Sequence, residues 1–536
     1  MTRRTAFSLI LPAMAGLALV APAAVAAPPA VTPTAGALPL GPAGLEESRT
    51  TRTLQPGVTL TRIVRGHTDP SAFWTVEVAI PPASGSPDPD APPVAIRPEA
   101  DARAAADRLR AAGLDPRVEK VGTPPLADFS GDLGWRVRVG EVTTKAAADA
   151  IRQQVIAAGF SGSSIYTGWD GEPDDVAGST GPWHVDVLTI DPRTFSGRLA
   201  ATYGPDLERR ETTSQLAAWT GADAAVNAGF FVLDPAAGAP GDPAGVGVYD
   251  GRLVSEPVAG RPALVVRDDA RHTSVVRLRW RGEVAGLTLD GLDRVPGLIR
   301  NCGGTGDTPT DLPRHDYTCT DPDELIAFDS AYGARTPSGP GAEVVVNRSG
   351  RVIDIRPVRG GTVPAGGRTV QATGAKVGAL LAVARLGRGL VVRATLIDDH
   401  GRPMPTSPLA SIVNGGPELV RDGRLHATPA ADGMVRPGDP SFYYGWVHKR
   451  NPRTFAGVDA QGRTVLITAD GRSTASLGLG IAETAAVAKA LGLRDAMNLD
   501  GGGSTTMVVD GAVINVPSDA TGERPVGDAL VILPAR

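Results

Sequence analysis

From Trp183 to the end of the chain, short strand-like stretches alternate with turns rich in glycine and proline. The 536 residues include 66 glycines and 47 prolines, and both residue types interrupt regular elements, so the elements must be short. The best helical patterns in this region cover residues 212–222, 375–387 and 480–492. We therefore predict an α+β domain over residues 183–536, rich in strands and built on mixed sheets.

Residues 73–167 repeat one pattern twice. Strand "FWTVEVAI" precedes a helix that ends in "RLRAAGL", and strand "GWRVRVG" precedes a helix that ends in "QVIAAGF". Each helix is followed by a glycine that suits a C-cap, and the strands "PRVEKV" and "SSIYTG" complete the two halves. The repeat predicts a small ferredoxin-like βαββαβ domain with both helices on one face of a four-stranded sheet.

In its order of elements, and in "WTVEV" and "GWRVRVG", this unit resembles the SPOR domain. The resemblance implies binding to peptidoglycan glycan strands that lack stem peptides. The same pattern also fits a domain that only spaces or stabilises its neighbour. Trp74, Trp135 and Tyr166 can be read either as platforms for sugar rings or as core residues.

The N-terminus has the pattern of a secretory signal peptide over residues 1–26. Arg3 and Arg4 precede an apolar run, and Ala24-Val25-Ala26 forms a candidate cleavage site. Residues 27–50 are rich in Ala, Pro and Gly and are predicted to be a linker. We expect a secreted, extracellular or cell-wall-associated protein.

The two cysteines, Cys302 and Cys319, bracket a polar loop. In an oxidising compartment they are expected to pair and to stabilise that loop by about 3 kcal/mol on the chain-entropy model. A metal site or a catalytic thiol is the weaker interpretation, because no His stands at ligand spacing to both cysteines.

The formal net charge is −5, and acidic and basic residues are mixed along the chain. Without a basic block to contact phosphates, a nucleic-acid partner is not expected. After the signal sequence, the chain contains no apolar run long enough to predict a membrane span.

Near the C-terminus, "DAMNLDGGGSTTMVVDG" places Asp500 directly before three consecutive glycines and then three hydroxyl-bearing residues. Three glycines between apolar runs are costly in conformational entropy and give nothing to pack, unless the backbone itself is used. This glycine turn, residues 500–506, is therefore predicted to contact a ligand.

Further stretches place Asn, Arg, Asp or Gly at the ends of apolar strands, where such residues can converge on a ligand. In "NAGFF", "NGGPELV", "NPRT", "NLDGGGS" and "GERPV", taken in this order, residues 183–536 resemble the phosphodiester glycosidase family. That family also has a leading strand, which we assign to residues 51–68. The SPOR-like unit is then predicted to be inserted into the glycosidase domain.

The resemblance implies cleavage of a sugar C1–O bond with a phosphate monoester as leaving group. Such a group needs cations and N–H donors, which Arg453, Arg524 and the glycine turn would supply. Asp500 and Asp470 are the predicted catalytic pair, with their roles not divided between them. The predicted substrate-binding residues are Asn227, Asn414, Gly415, Arg453, Thr454, Asn498, Gly501, Gly502, Gly503, Ser504, Thr505 and Arg524.

Each polar candidate also has a structural interpretation. Asp470 can be an ordinary hairpin residue, and Arg453 a strand-end ion pair. Asn227 and Asn414 can stabilise turns instead of holding sugar hydroxyls. Ser504, like its neighbour Thr505, can cap the turn locally instead of binding phosphate.

No cofactor is assigned; the crowding of Asp residues leaves a divalent cation open, although no ligand set has diagnostic spacing. The expected partners are a carbohydrate phosphodiester and peptidoglycan strands.

The glycine turn does not match two other catalytic or binding motifs. Ser504 lacks the second flanking glycine of a serine-hydrolase elbow, and no Lys follows the glycines as in a nucleotide-binding loop. The remaining alternative is a non-enzymatic protein that binds cell-wall glycan.

Overall fold

The computed structural model describes residues 36–81, 94–258, 260–303 and 313–535. The predicted signal peptide, residues 1–26, lies outside these ranges. Within the predicted linker, residues 47–50 begin a strand, Glu47–Gln55, and Leu38 and Leu40 are buried. None of the helices in the described ranges combines the length and apolar character that a bilayer crossing requires.

The largest domain is organised around an antiparallel eight-stranded sheet, which we call the central sheet. Its strands, in spatial order, are Glu47–Gln55, Val58–Arg65, Trp183–Ile190, Thr464–Ala469, Arg453–Asp459, Leu493–Asn498, Glu418–Arg421 and Arg424–Leu425. Both faces are covered: Ile467 and Phe455 pack into one core, whereas Leu466 and Ala456 pack into another. Strands Arg453–Asp459 and Thr464–Ala469 are accordingly buried at every residue.

A five-stranded sheet packs against one face of the central sheet through a shared core. Its strands are Ala512–Val513, Met507–Val509, Ala224–Asn227, Ala529–Leu533 and Arg198–Thr202. The glycine turn runs directly from the central sheet into this sheet, because strand Leu493–Asn498 ends before it and strand Met507–Val509 follows it. The turn therefore lies at the junction of two packed sheets.

Two more large sheets and a short ribbon complete this domain. One contains Arg252–Ser255, Gly247–Tyr249, Ala410–Asn414, Pro262–Arg267, Ser274–Val284, Val392–Asp398 and Pro403–Met404, with Leu287–Leu289 beside Ser274–Val284. The next contains Gly291–Leu292, Leu325–Phe328, Arg368–Ala372, Gly339–Val346 and Val352–Arg359. The ribbon pairs Ile299–Arg300 with Thr318–Cys319. Because Gly291–Leu292 pairs parallel with its neighbour, the mixed-sheet prediction is confirmed.

The helices are few and short, as the glycine and proline pattern predicts. The three predicted helices are present as Thr213–Thr220, Lys376–Val383 and Ile481–Ala490. The first begins with a capping box, in which Thr212 and Gln215 bond each other's backbone N–H groups. The other short helical segments of the large domain are Pro235–Ala237, Pro440–Tyr443, Tyr444–His448 and Gly502–Ser504.

Residues 74–166 form the predicted βαββαβ unit, which we call the small domain. Its strands lie in the order Pro116–Thr123, Gly131–Val142, Trp74–Ala79 and Ser161–Tyr166. Helices Glu99–Ala111 and Lys145–Ala157 cover one face through an apolar core that includes Val76, Leu109 and Val155. Thr167–Trp169 and Pro173–Gly178 then lead back to the large domain.

The small domain is inserted between two neighbouring strands of the central sheet. Val58–Arg65 and Trp183–Ile190 pair along their full length, from Val58 opposite Ile190 to Arg65 opposite Trp183. The region assigned to one leading strand, residues 51–68, holds the end of Glu47–Gln55 as well as Val58–Arg65. Two adjacent attachment points limit how far the small domain can move relative to the sheet.

The face of the small-domain sheet opposite its helices packs against the large domain. Thr123 Oγ1 lies 3.1 Å from the Tyr443 hydroxyl, and the Tyr444 hydroxyl donates to Glu77 Oε2 at 2.6 Å. Of the three aromatic candidates, Tyr166 is buried in the core between the domains and Trp74 packs against that core, whereas Trp135 packs against the core of the small domain. A glycan strand could reach this sheet face only if the domain interface opened.

Candidate active site at the glycine turn

The glycine turn forms one wall of a pocket at the edge of the central sheet. Five other segments complete the pocket: one follows strand Ala224–Asn227, one directly precedes Cys302, one lies within the loop that the Cys302–Cys319 disulfide closes, one is the segment Tyr444–His448, and one carries Arg524. The lining residues are Phe230, Phe231, Leu233, Arg300, Asn301, His315, Asp316, Trp446, Asp500, Ser504 and Arg524. Of the predicted site residues, the pocket thus gathers Asp500, Ser504 and Arg524.

The glycines allow the turn to lie close to its neighbours. Gly502 has a φ of 60°, and its N–H donates to the Pro452 carbonyl at 3.0 Å. A Cβ at Gly501 would lie 2.9 Å from the same carbonyl oxygen, and one at Gly503 would overlap the Arg524 guanidinium. The glycines therefore let the backbone pass between Pro452 and Arg524.

Arg524 is held in a fixed orientation. Its Nε and one terminal nitrogen donate to the two carboxylate oxygens of Asp519, at 2.8 and 2.9 Å. The side chain is 7% exposed and lines the pocket beside Ser504. A planar guanidinium fixed by a two-pronged ion pair is suited to orient a phosphate group.

We expect Gly503→Ala to lower kcat/KM about 10–100-fold, because the added Cβ displaces Arg524 and small misplacements of binding groups are costly. Steady-state kinetics on a sugar phosphodiester would measure the loss. Gly378→Ala is the matched control: that Cβ meets no atom within 4 Å, in the middle of a helix. Equal activity of both variants would contradict the role of the close approach.

Asn227 and Thr454 lie behind the turn and do not line the pocket. The Asn227 amide nitrogen donates to the Asp500 carbonyl at 2.7 Å. Its amide oxygen accepts bonds from Thr454 Oγ1 at 2.6 Å and from the Thr506 N–H at 3.1 Å. In the structure these polar groups hold the backbone of Asp500 from behind the turn, and direct substrate contact by Asn227 and Thr454 stays a prediction.

Asn414, Gly415 and Asn498 also support the site from behind. The Asn414 side chain pairs with both backbone groups of Phe230, at 3.0 and 3.1 Å. Asn498 donates to the Gly416 carbonyl at 3.0 Å, and a Cβ at Gly415 would lie 2.6 Å from the Asn498 carbonyl. They fix the segment that presents Phe230 to the pocket.

Arg453 was predicted to bind phosphate but is not among the pocket residues. It is 3% exposed and donates to the backbone carbonyls of Leu479 and Trp446, at 2.9 and 2.8 Å. Because its guanidinium binds backbone oxygens, its evident contribution is to position the segment that carries Trp446.

Asp470 and Thr505 likewise lie outside the pocket. The Asp470 carboxylate accepts bonds from the Val516 N–H at 3.0 Å and the Asn515 amide at 3.2 Å, and burial raises its pKa. Thr505 is 1% exposed. The structure does not bring Asp470 together with Asp500 in one pocket, because Asp470 anchors the loop that follows the five-stranded sheet's hairpin.

Models of two protein families match parts of this chain. The phosphodiester glycosidase model matches residues 340–533, and the SPOR domain model matches residues 94–166. The chain thus carries a phosphodiester glycosidase domain and a SPOR domain. The structural unit that contains the matched region is larger, because strands Val58–Arg65 and Trp183–Ile190 are part of the same central sheet.

Among the relatives of this chain is N-acetylglucosamine-1-phosphodiester alpha-N-acetylglucosaminidase of Mus musculus, 29% identical over 160 residues. The Homo sapiens protein of that name is 31% identical over 114 residues, 21% of this chain and 22% of the human protein. The mouse alignment covers 30% of each chain, so this chain matches under a third of its curated relatives' length.

A putative exported protein from Burkholderia pseudomallei has a similar crystal structure. The two share 33% identity and a TM-score of 0.82, over 94% of this chain and 99% of that one.

Sequence patterns missed the contribution of the disulfide-closed loop. Cys302 and Cys319 pair as predicted; Arg300 and Asn301, directly before this loop, and His315 and Asp316, within it, line the pocket. The "RHD" triplet close to the second cysteine was the available signal.

His315 contributes a neutral imidazole to the glycosidase pocket. Its Nδ1 lies 3.1 Å from an Arg261 guanidinium nitrogen, which can only donate, so Nε2 carries the proton. Burial and the nearby Arg261, Arg300 and Arg436 hold the pKa of His315 well below its usual value. Among the described residues the buried Nε2 atom has no hydrogen-bond partner.

A buried charge network connects the pocket wall to the small domain. Arg138 of the small domain donates to both oxygens of Asp170 at 2.6 Å and to Glu77 at 3.0 Å. Tyr444, two residues before Trp446, bonds Glu77. The small domain therefore helps to fix the segment that lines the pocket.

No group of three or more His, Cys, Asp and Glu side chains is arranged to hold a metal ion in the part of the chain that the structure describes.

Proposed function

We propose that this protein hydrolyses a sugar-1-phosphodiester, breaking the C1–O bond and releasing a phosphate monoester. The observation that carries the proposal is the convergence of Asp500, Ser504, Arg524 and His315 on one pocket. This set supplies a carboxylate, a hydroxyl, a fixed guanidinium and a neutral N–H donor.

The cationic and N–H groups suit the leaving phosphate. Arg524 is already oriented by Asp519, so binding a phosphate costs little reorganisation. His315 adds a donor that carries no charge at neutral pH. Because a phosphate monoester leaves readily once its charge is stabilised, strong protonation by the protein is unnecessary.

Asp500 is the carboxylate proposed to act at the anomeric carbon. It is half-buried at the pocket, and its backbone is fixed through the Asn227 amide and the Ala228 carbonyl. A carboxylate there can stabilise the positive charge that develops on the sugar, as nucleophile or as base for water. Asp470 is proposed to be structural.

A labelling experiment tests which bond is cut. The purified chain is incubated in ¹⁸O-water with a panel of sugar-1-phosphate methyl diesters and the products are followed by NMR and mass spectrometry. We expect free sugar labelled at C1 and unlabelled methyl phosphate. Label in the phosphate would show P–O cleavage and contradict the proposal, and absence of turnover would favour a non-enzymatic glycan-binding protein.

We also propose that the protein is exported and acts on cell-wall or extracellular glycopolymers. The signal-peptide pattern, the similar exported protein and the SPOR domain match support this location. The face of the small-domain sheet opposite its helices packs against the large domain. Binding to peptidoglycan strands would therefore use another surface of the small domain. Co-sedimentation of the full chain with peptide-free peptidoglycan would test it, and full recovery in the supernatant would contradict it.

A further inference from the structure

A second, larger cavity of about 600 Å³ adjoins the active-site pocket, and we call it the groove. The two cavities share a thin wall: Phe231 and Leu233 line the pocket, whereas Val232 between them lines the groove. Arg300 lines both cavities. The groove is therefore an immediate neighbour of the pocket.

Trp280 presents a half-buried indole to the groove. Gly282, two residues along the same strand, leaves room for the ring: a Cβ there would lie 2.7 Å from Trp280 Cη2. The ring is thus held against the backbone. A fixed aromatic ring offers a large contact area with little loss of side-chain entropy on binding, as recognition sites commonly require.

Asp242 lies in the same groove with its hydrogen-bonding capacity unused. It is 3% exposed, and within the described residues neither carboxylate oxygen has a hydrogen-bond partner. Burial, together with Asp293, Glu208 and Glu256, raises its pKa well above the usual value. Buried polar groups without partners are rare and call for a ligand or water.

Two of the cations that line the groove are paired with carboxylates. Arg294 bonds Glu256 at 2.7 Å and Glu324 at 2.6 Å, and Lys376 bonds Asp290 at 2.5 Å. A carboxyl group that lines the same groove as an aromatic ring, without a cation bonded to it, suits a ligand rich in hydroxyl groups.

We propose that the groove is a saccharide subsite, in which Trp280 stacks on a pyranose ring and Asp242 hydrogen-bonds to its hydroxyls. This inference rests on the proposed function in one respect: the bound sugar is the part of the substrate next to the phosphodiester cleaved in the pocket.

Binding is tested on the full chain by calorimetry with chitotetraose, cellotetraose and maltotetraose as probes. We expect at least one tetrasaccharide to bind the wild type and to bind Trp280→Ala about tenfold more weakly, the usual loss for an aromatic anchor. Asp242→Ala should weaken binding and Asp242→Asn should restore most of it, because an amide keeps a donor and an acceptor. Trp219→Ala is the matched control, since Trp219 is 65% exposed on a helix away from the groove.

Absence of binding by all three probes, or equal affinity in Trp280→Ala and the wild type, would overturn the subsite. A kinetic comparison distinguishes failure of the saccharide subsite from failure of the proposed function. Trp280→Ala should lower kcat/KM for a diester with an oligosaccharide leaving group and leave the methyl diester unchanged. If no diester is cleaved but tetrasaccharide binding depends on Trp280, the glycosidase proposal fails and the subsite stands.

Discussion

Asp500→Asn is expected to lower kcat about 10²–10⁴-fold without unfolding the protein. The variant keeps the shape of the side chain and loses the charge that would stabilise a cationic sugar. Its backbone contacts to Asn227 and Ala228 do not involve the carboxylate. The Gly501 N–H, which donates to Asp500 Oδ1 at 3.0 Å, can equally donate to an amide oxygen.

Initial rates of sugar release by both proteins, together with their thermal unfolding midpoints, measure this effect. Asp510→Asn is the matched control: Asp510 also precedes a glycine in a turn, but its side chain is 63% exposed and pairs only with Arg52 at the surface. We expect wild-type activity for that control. An Asp500→Asn protein as active as wild type would exclude a catalytic role for the carboxylate.

Arg138→Met is expected to cost about 3–5 kcal/mol of folding free energy, because it removes the buried cation that bonds both Asp170 and Glu77. Arg138 is 2% exposed and bonds both Asp170 and Glu77. Arg110→Met removes a surface ion pair with Asp107 and should cost below about 1 kcal/mol. Urea unfolding of the two variants gives the comparison. Equal losses of folding free energy would show that the buried network stabilises the fold no more than a surface ion pair does.

The same network makes stability depend on pH. Burial alone would raise the pKa of Glu77, but Lys449, Arg138, Arg136 and the Tyr444 hydroxyl lower it from 4.5 to about 2. A carboxyl group with a depressed folded-state pKa stabilises the fold above its unfolded value. That contribution is therefore present above pH 4.5 and is lost as the pH falls toward 2. Glu77→Gln should unfold with a weaker pH dependence over that interval, and an unchanged pH profile would contradict the assignment.

The sequence by itself determined the local elements and the approximate position of the site. Period-two strands, two similar helix endings and the turn residues predicted the βαββαβ unit and the three helices of the larger domain, because these signals act over a few residues. The glycine turn is predicted to contact a ligand, and this stays a prediction; in the structure Gly501 and Gly503 approach Pro452 and Arg524 closely. Asp500, Ser504 and Arg524 lie at one pocket, as this pattern indicated.

Which polar side chains face the pocket was decided only by tertiary structure. Asn227, Asn414 and Arg453 stand at strand ends as the family pattern requires, yet their side chains bond backbone groups behind the site. His315 enters the pocket from a loop that the disulfide closes. The direction of a side chain depends on partners that are distant in sequence. Asp500 and Asn227 are 273 residues apart, so the local sequence pattern cannot predict their contact.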